Sequence, residues 1–380
     1  MKKEEKIKII DLFSGVGGLS YGFETQDDFE IVAANEILPN MARAYKLNFP
    51  KTKMFCKDIS MFGIKDLEDL SVKRGEIDIV LGGPPCQAYS TIGKRLLEDP
   101  RANLYRQYHR VLRDIKPKVF IYENVVGLSS MQDGKLIKEI IENFESCNYR
   151  TYIQILNAAD YGVPQNRKRI FIIGTTLPNE YKFPKPICVK GASNLVGTKM
   201  PDSNSISYLT VGDALGDLPP LSPGESKAGY KGAPTNAYQR EMRKYEDQDN
   251  SEKELSEHIC PKYNEKLIDL MSMIKEGESA WDLEDIYHPS SGFGNTYARL
   301  WWDRPSTTVT RNFGAPSSSR CIHPKENRAL TTREGARLQS FPDNFKFYGS
   351  RSEKNLQIGN AVPPIVARHL ARSIKEHING

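Results

Sequence analysis

Short apolar runs alternate with helical patterns through the first half of the chain. Residues 7–13 and 77–81 are compact apolar runs that each lead into glycines, whereas residues 135–144 repeat apolar side chains at helical spacing. This alternation is typical of an α/β fold in which a largely parallel sheet carries helices on both faces. The predicted strands are residues 7–13, 31–34, 77–81, 119–122, 151–156 and 170–175, the last two as a pair.

The pattern changes between residues 184 and 295. This segment is rich in proline, glycine, serine and asparagine, and its apolar residues follow no clear period, so we interpret it as a smaller, irregular domain. Regular patterns then return: residues 331–338 are predicted to be helical, and Asn360 is predicted to cap a last helix. The expected ranges are 1–184 for the sheet domain, 185–325 for the smaller domain, and 326–380 for a C-terminal segment that returns to the sheet domain.

Composition narrows the class of protein only a little. The chain has 380 residues, enough for two domains with a sizeable core. No apolar run approaches the roughly 20 residues that span a bilayer, and the first strand follows the charged start directly, so we expect no membrane segment, no signal peptide and a cytoplasmic location. None of the six cysteines stands in a Cys-x-x-Cys pair, so we predict neither a metal site nor disulfides. A net charge of +5 is compatible with a polyanionic partner without requiring one.

A glycine-rich turn follows the first strand. Gly15, Gly17 and Gly18 let the backbone turn sharply and approach a ligand closely, and Glu36 lies about 20 residues on, where a carboxylate binds ribose hydroxyls in nucleotide-type folds. The spacing is Gly-x-Gly-Gly, which lacks the last glycine of the dinucleotide fingerprint and favours S-adenosylmethionine over a pyrophosphate cofactor. Asp58 is a candidate acceptor for an adenine amino group. The alternatives are a tight turn without a ligand and a solvated loop acid.

The second candidate is a thiol on a stiff loop. Gly82 and Gly83 end an apolar strand and allow close approach, and Pro84 and Pro85 stiffen the backbone just before Cys86. A thiol at the ligand edge of the sheet suits covalent catalysis. The alternative is that this cysteine is a small buried hydrophobic residue.

Two further motifs place charged groups at strand ends. Glu123 ends the strand after Cys86 and is a candidate proton donor, or alternatively a helix-cap acid. Arg167 and Arg169 enter the last strand, where alternation of side chains places both on one face, suited to phosphate or carboxylate. The alternative is an exposed, charged strand end.

Together these motifs resemble the C5-cytosine-specific DNA methyltransferase family of the bacterial restriction–modification type. The resemblance covers nearly the whole chain except about residues 185–295, and it implies a Rossmann-like S-adenosylmethionine-dependent methyltransferase fold with a smaller irregular target-recognition domain. The motifs stand in the family's order: Asp11-Leu12-Phe13-Ser14-Gly15-Val16-Gly17-Gly18, Glu36, Asp58, Gly83-Pro84-Pro85-Cys86-Gln87, Glu123-Asn124-Val125, Gln165-x-Arg167-x-Arg169, Arg304-Pro305-Ser306-Thr307-Thr308-Val309-Thr310, Arg333-Glu334-x-Ala336-Arg337-Leu338-Gln339-x-Phe341-Pro342, and Gln357-Ile358-Gly359-Asn360-Ala361-Val362-Pro363-Pro364.

The resemblance also implies roles for individual residues. Cys86 is implied to be the nucleophile, Glu123 the acid that holds the cytosine, and Arg167 a residue that positions the base and the cysteine loop. Gln87, Ser90 and Arg169 are implied to contact DNA. The implied cofactor pocket consists of Phe13, Gly15, Gly17, Gly18, Glu36, Ile37, Asp58, Ile59, Gly83, Pro85, Leu104, Asn360 and Val362.

The implied reaction transfers a methyl group from S-adenosyl-L-methionine to C5 of a flipped cytosine in a specific duplex sequence, through a covalent adduct between Cys86 and C6. The implied partners are double-stranded DNA and a restriction endonuclease that shares the site without a stable complex, and the expected state is a monomer. Alternatives are methylation of RNA such as tRNA, an inactive DNA-binding regulator, and an NAD-dependent oxidoreductase. Candidates for phosphate contacts or packing near the target-recognition segment are Arg299, Trp301, Trp302, Arg304 and Arg311.

Overall fold

The computed structural model describes residues 6–70, 72–85, 104–189, 206–243, 255–290 and 294–380. They divide into two compact units, each described by itself. Unit 1 comprises the described residues within Met1–Asn157, Lys168–Lys185 and Val366–Gly380, and unit 2 those within Ala158–Arg167 and Pro186–Ile365. The division differs from the expected ranges, because residues 158–167 and 326–365 belong to unit 2. Residues 158–167 pair there with the segment around Ser306, whose backbone exchanges hydrogen bonds with Pro164 and Asn166.

Seven strands among the described residues form the sheet of unit 1, in the order β3-β2-β1-β4-β5-β7-β6. All neighbours are parallel except β5–β7 and β6–β7, so the predicted mostly parallel α/β fold is confirmed. Strands β1 to β3 are added outward on one side of the sheet and strands from β4 onward on the other, so the direction of the strand order switches between β1 and β4. Ligands bind at such a switch point, outside the carboxyl ends of the strands. The strands are β1 (Ile7–Leu12), β2 (Phe29–Asn35), β3 (Lys53–Phe55), β4 (Ile79–Gly82), β5 (Val119–Val125), β6 (Arg150–Asn157) and β7 (Lys168–Thr175).

The helices of unit 1 bury apolar stripes against this sheet. Tyr108, Val111, Leu112 and Ile115 recur at helical spacing on one face of α4, and all four are fully buried. The Tyr108 hydroxyl also donates to the carbonyl oxygen of Ile121 in β5 over 2.8 Å, which fixes the helix on the sheet. The helices are α1 (Gly18–Glu24), α2 (Pro39–Asn48), α3 (Ile64–Glu68), α4 (Leu104–Ile115), α5 (Lys135–Glu145) and α11 (Pro364–Asn379), of which α11 joins unit 1 from Val366.

Unit 2 is built from short elements, and ion pairs contribute much of its interior. Arg337 lies between two buried carboxylates, 2.8 Å from Asp217 and 2.6 Å from Asp343. Arg328 forms a two-pronged pair with Glu334 over 2.7 and 2.8 Å. The elements are β8 (Cys188–Val189), β9 (Ile206–Ser207), α6 (Val211–Leu215), α7 (Ala237–Met242), α8 (Glu265–Met273), β10 (Ala298–Arg299), β11 (Arg320–Ile322), α9 (Thr332–Leu338) and α10 (Arg351–Asn360).

One predicted cap is wrong. Asn360 is the last residue of α10, not the cap of the final helix. A capping box of Ser350 and Glu353 begins α10, and Gly359 near its end packs so closely that a Cβ would lie 2.5 Å from the backbone of Arg311. The final helix begins at Pro364, as suits a residue without an N–H. Across the described ranges, no helix combines the length and the apolar character needed to cross a membrane.

Candidate functional site

The glycine turn after β1 contains three residues with positive φ: Phe13 at 53°, Gly15 at 55° and Gly17 at 92°. The two glycines serve different purposes. A Cβ on Gly17 would lie 2.3 Å from the Phe49 ring, so the bare backbone there lets α2 pack against the turn. Apart from Gly15 itself and its two chain neighbours, no described atom lies within 4 Å of where a Cβ on Gly15 would stand. Gly15 is therefore the position at which the turn itself leaves space for a ligand.

Glu36 holds this turn against the end of β2. Its Oε2 accepts a hydrogen bond from the Gly15 amide and its Oε1 one from the Leu38 amide, both over 2.9 Å. Burial raises the pKa of Glu36, and these amide donors oppose the rise. Ile37 lies between Glu36 and Leu38 in the sequence, and 55% of its surface is exposed. The carboxylate and an exposed apolar side chain thus stand side by side at the carboxyl edge.

Asp11 lies beneath the turn and belongs to the first family motif, although the resemblance implies no role for it. It is 1% exposed, and its carboxylate accepts a hydrogen bond from the Ser20 hydroxyl over 2.6 Å, while Tyr45 lies 2.7 Å beyond Ser20. Burial raises the pKa of Asp11 to about 7, Ser20 opposes this rise and nearby Glu36 adds to it. The sequence signal for this buried carboxylate is an acidic residue inside an otherwise apolar strand.

Asp58 and Ile59 lie at the next strand end, after β3. The Asp58 carboxylate caps a short 3₁₀ turn, Ile59–Met61, by accepting from the Ser60 amide over 2.8 Å. Hydrogen bonds from Ser60 lower the pKa of Asp58, which is exposed. Ile59 is buried in the core of unit 1. Asp58 therefore lies at the surface, on a turn that the buried side chain of Ile59 anchors to the core.

Gly83 provides the space that Glu123 occupies. The two residues follow the paired positions Gly82 and Tyr122 of β4 and β5, and a Cβ on Gly83 would lie 2.8 Å from Oε2 of Glu123. Pro85 is exposed, and Leu104, the first residue of α4, packs partly buried against the core. The predicted site residues Cys86, Gln87 and Ser90 lie outside the described residues.

Arg169 is the arginine that pairs with Glu123. Its Nε lies 3.1 Å from Oε1 of Glu123, and both side chains are mostly buried, with 17% and 13% exposed. Burial lowers the pKa of Arg169, and the Glu123 carboxylate opposes this. The antiparallel register of β5 and β7 brings the pair together, because Arg169 stands opposite Val125, two residues from Glu123.

Asn124 connects this strand end to the loop before Cys86. Its Nδ2 donates to the carbonyl oxygen of Pro84 over 3.0 Å, and its Oδ1 accepts from the Val125 amide over 2.9 Å. The side chain is buried. The resemblance implies no role for Asn124, yet this side chain fixes the backbone two residues before the candidate nucleophile.

Arg167 belongs to unit 2. Its two terminal nitrogens donate to the carbonyl oxygens of Val309 and Gly359, over 3.1 and 2.8 Å, and the side chain is buried. The expectation that both arginines lie on one strand face fails because β7 begins at Lys168, so strand alternation does not extend to Arg167. Its contacts are those of a residue that orders unit 2.

The family model described as C-5 cytosine-specific DNA methylase matches residues 7–376. The chain belongs to this family. The activity of this methyltransferase is thus that of a DNA (cytosine-5-)-methyltransferase, and the family suggested by the sequence motifs is confirmed.

Relatives of this methyltransferase match over almost its full length. Type II methyltransferase M1.HphI of Haemophilus parahaemolyticus is 34% identical over 368 residues, which cover 96% of this chain and 86% of the relative. Type II methyltransferase M.DdeI of Desulfomicrobium norvegicum is 35% identical over 399 residues, covering 98% and 90%. A solved structure of a prophage-encoded E. coli protein, described as a DNA modification methyltransferase, has a TM-score of 0.77 at 25% identity and covers 99% of this chain and 100% of that one.

Two residues expected in the methyltransferase's cofactor pocket, Asn360 and Val362, lie in unit 2. Asn360 is exposed at the end of α10, and Val362 is buried. Of the two alternatives predicted for Arg299, phosphate contact or packing, the structure shows packing: Arg299 is buried and donates to the carbonyl oxygens of Ile274 and His323, both over 2.7 Å. Its guanidinium is used to hold unit 2 together.

Cationic side chains lie over the rings of Trp301 and Trp302 in unit 2. The Arg320 guanidinium lies 4.5 Å from the centre of the Trp301 ring, and Arg304 lies 5.4 Å from it. Lys325 lies 4.1 Å from the centre of the Trp302 ring. Arg304 and Lys325 are exposed, so their charges are available to a polyanion.

Proposed function

We propose that this methyltransferase modifies C5 of a cytosine flipped out of a specific duplex DNA sequence, with Cys86 as the nucleophile, and that it protects host DNA in a restriction–modification system. The observation that carries the proposal is Glu123, held by Arg169 over the bare backbone of Gly83, next to the loop that leads to Cys86. A carboxyl group so placed suits recognition of the N3 side of a cytosine. The relatives named as Type II methyltransferases support the restriction–modification context.

The residues at the carboxyl edge fit S-adenosylmethionine, which supplies an activated methyl group when bound. Gly15 leaves space beside the turn, Glu36 offers a carboxylate suited to ribose hydroxyls, and Ile37 offers an exposed apolar side chain suited to one face of an adenine ring. Asp58 offers an acceptor suited to the adenine amino group. This donor set matches a nucleoside with a short charged tail better than a pyrophosphate, since its acidic groups would repel phosphate.

The proposed chemistry starts from the weak nucleophilicity of cytosine C5. Addition of the Cys86 thiolate to C6 converts the ring to an enamine, whose C5 would take the methyl group as the sulfonium S–CH3 bond breaks and a neutral thioether departs. Loss of the C5 proton to a base and elimination of the thiolate then restore the aromatic ring. A proton or hydrogen bond from Glu123 to N3 stabilises the charge that develops on the ring. Arg169 stabilises the carboxylate that remains after the proton has moved. Asn124 contributes by fixing the backbone at Pro84.

C6 is inaccessible inside a stacked duplex, so the cytosine must leave the helix at a cost of a few kcal/mol. We propose that unit 2 is the target-recognition unit, with Arg304 and Lys325 as phosphate contacts beside their tryptophans, and that Gln87 and Ser90 contact DNA. Double-stranded DNA is then the partner, together with an endonuclease that acts on the same site without a stable complex. We also propose that the protein is a monomer and acts in the cytoplasm.

The experiment is bisulfite sequencing of DNA from cells that express the protein, which identifies the methylated sequence. It is paired with Cys86→Ala, which should abolish methyl transfer while duplex binding persists. A duplex carrying 5-fluorocytosine at the site should trap a covalent adduct with the unmodified protein and none with this variant. Turnover by Cys86→Ala would refute the nucleophile, and methylation of tRNA but not of duplex DNA would refute the substrate.

A further inference from the structure

Arg110, on α4, donates hydrogen bonds in three directions. Its Nη2 donates to the carbonyl oxygens of Ile59 and Phe62 over 2.8 and 2.7 Å. Its Nη1 lies 3.2 Å from Oδ2 of Asp114, and its Nε donates to Oε1 of Gln107 over 2.8 Å. The last two contacts, both on α4, hold the guanidinium in place so that its remaining nitrogen faces the segment after β3.

The carbonyl groups that Arg110 binds belong to the turn that carries Asp58. The turn Ile59–Met61 contains only three residues, and so short a piece of 3₁₀ helix has little stability of its own. Asp58 fixes its first end by accepting from the Ser60 amide. Arg110 binds the turn from both sides, through the carbonyl group of its first residue, Ile59, and that of Phe62, the residue that follows it. The orientation of the Asp58 carboxylate therefore depends on a residue from another helix.

Arg110 also joins two regions that the sequence assigned to one ligand. Helix α4 begins at Leu104, a residue implied to contact the donor, and the turn presents Asp58 and Ile59, which have the same implied role. The Ile59 side chain is itself buried, so burial of this side chain and the hydrogen bonds from Arg110 hold the turn together.

We propose that Arg110 is a positioning residue for the adenine of the methyl donor, holding Asp58 so that its carboxylate accepts the adenine amino group. This inference rests on the proposed donor site. It concerns specificity: replacing the amino group by a carbonyl oxygen, as in hypoxanthine, would set two acceptors against each other, and a site built to accept a donor rejects such an analogue strongly. The discrimination fails when the carboxylate is free to turn away.

The test is isothermal titration calorimetry with two probes, S-adenosylhomocysteine and S-inosylhomocysteine, on the full chain. The unmodified protein should bind the adenosyl compound at least about tenfold more tightly, as expected for one charge-assisted hydrogen bond. Arg110→Gln should bind the adenosyl compound about tenfold more weakly and lose most of the discrimination. Arg113→Gln is the matched control, because it removes the same charge from an exposed position on the same helix and should change neither affinity.

A second substitution separates positioning from loss of stability. Because Arg110 acts through Asp58, Asp58→Asn should lower the ratio of the two affinities, and adding Arg110→Gln should lower it no further. If Arg110→Gln does not fold, Arg110→Lys decides, since an ammonium group does not reproduce the planar fork and should lower the ratio at least about threefold.

An unchanged affinity ratio in Arg110→Gln would overturn the inference, even if the melting temperature of the variant falls. If Arg110→Gln does not fold, an unchanged ratio in Arg110→Lys would overturn it. An unchanged ratio in Asp58→Asn would overturn it as well. Failure of the unmodified protein to bind either compound would overturn the proposed donor site and this inference with it. Binding with normal discrimination in every Arg110 variant would leave the donor site standing and remove only the role of Arg110.

Discussion

Arg169 lies 3.1 Å from Glu123, with its Nε facing Oε1, in a mostly buried pair at the carboxyl edge of the sheet. We expect Arg169→Gln to lower the single-turnover rate of methyl transfer about a hundredfold, because a preorganised charge would no longer stabilise the carboxylate. The affinity for S-adenosylhomocysteine should stay unchanged, since neither Arg169 nor Glu123 is among the residues proposed to contact the donor. Quenched-flow measurement of methyl transfer with both reactants saturating checks the rate. A variant with the unmodified rate would contradict a role for the pair.

Asn124→Asp should slow attack by the nucleophile. The substitution keeps the shape of the side chain but replaces the donor to the Pro84 carbonyl oxygen by an acceptor, so the loop before Cys86 loses its fixed position. We expect adduct formation with a 5-fluorocytosine duplex to slow at least about tenfold, a loss on the order of 1.4 kcal/mol. Asn143→Asp is the control, because Asn143 donates a similar bond over 2.8 Å to Glu139 on α5. Equal rates in the two variants would remove the role of Asn124.

Asp11 should make the stability of the protein depend on pH. Burial raises the pKa of Asp11 to about 7 from an ordinary value of 3.8, so between these values the native state keeps a proton that the unfolded state has released. The contribution of Asp11 to the free energy of unfolding should therefore fall as pH rises from about 4 to about 7 and then level off. At about 1.4 kcal/mol per pKa unit, this contribution is on the order of 4 kcal/mol.

Urea unfolding of Asp11→Asn across this range tests the assignment. The amide cannot titrate, so the stability at about pH 8 minus that at about pH 5 should be more positive in this variant than in the unmodified protein. Asp285→Asn, at a fully exposed position, should leave the pH dependence unchanged. The same slope in Asp11→Asn and in the unmodified protein would assign the titration to another group.

Arg337→Ala should destabilise unit 2 severely. Removing the guanidinium leaves the buried Asp343 carboxylate without its close counter-charge and Asp217 with Arg243 alone, at a cost of about 3–5 kcal/mol. Arg311→Ala removes an exposed arginine and should cost less than about 0.5 kcal/mol. Denaturant unfolding followed by tryptophan fluorescence reports on this unit, because Trp281, Trp301 and Trp302 all belong to it. A loss under about 1 kcal/mol for Arg337→Ala would contradict the prediction.

The strands and the glycine turn were predictable because their signals are local. Apolar runs such as residues 77–81 and 119–122 reappear as β4 and β5, and the pair β6–β7 was predicted from two adjacent runs. The turn could be recognised from glycine spacing, but the separate purposes of Gly15 and Gly17 could not. That distinction depends on Phe49, which only the packing of α2 brings next to the turn.

The contacts of the arginines were beyond local patterns. Arg167 binds carbonyl groups that lie 142 and 192 positions away, and backbone groups leave no signature in side-chain composition. The buried partners Arg337 and Asp217 are 120 positions apart. Helix α10 was missed for a different reason, since it is mostly polar and presents few apolar residues to mark its period.

The chain leaves unit 1 after Asn157, re-enters it at Lys168, leaves again after Lys185 and re-enters at Val366. Ala367 then packs so tightly on α1 that a Cβ on Gly22 would lie 2.4 Å from it. During translation, the first unit to begin folding therefore stays incomplete until residues 366–380 have left the ribosome. Premature stop codons anywhere upstream of that segment should yield polypeptides that chaperones and proteases remove rather than partially active enzymes.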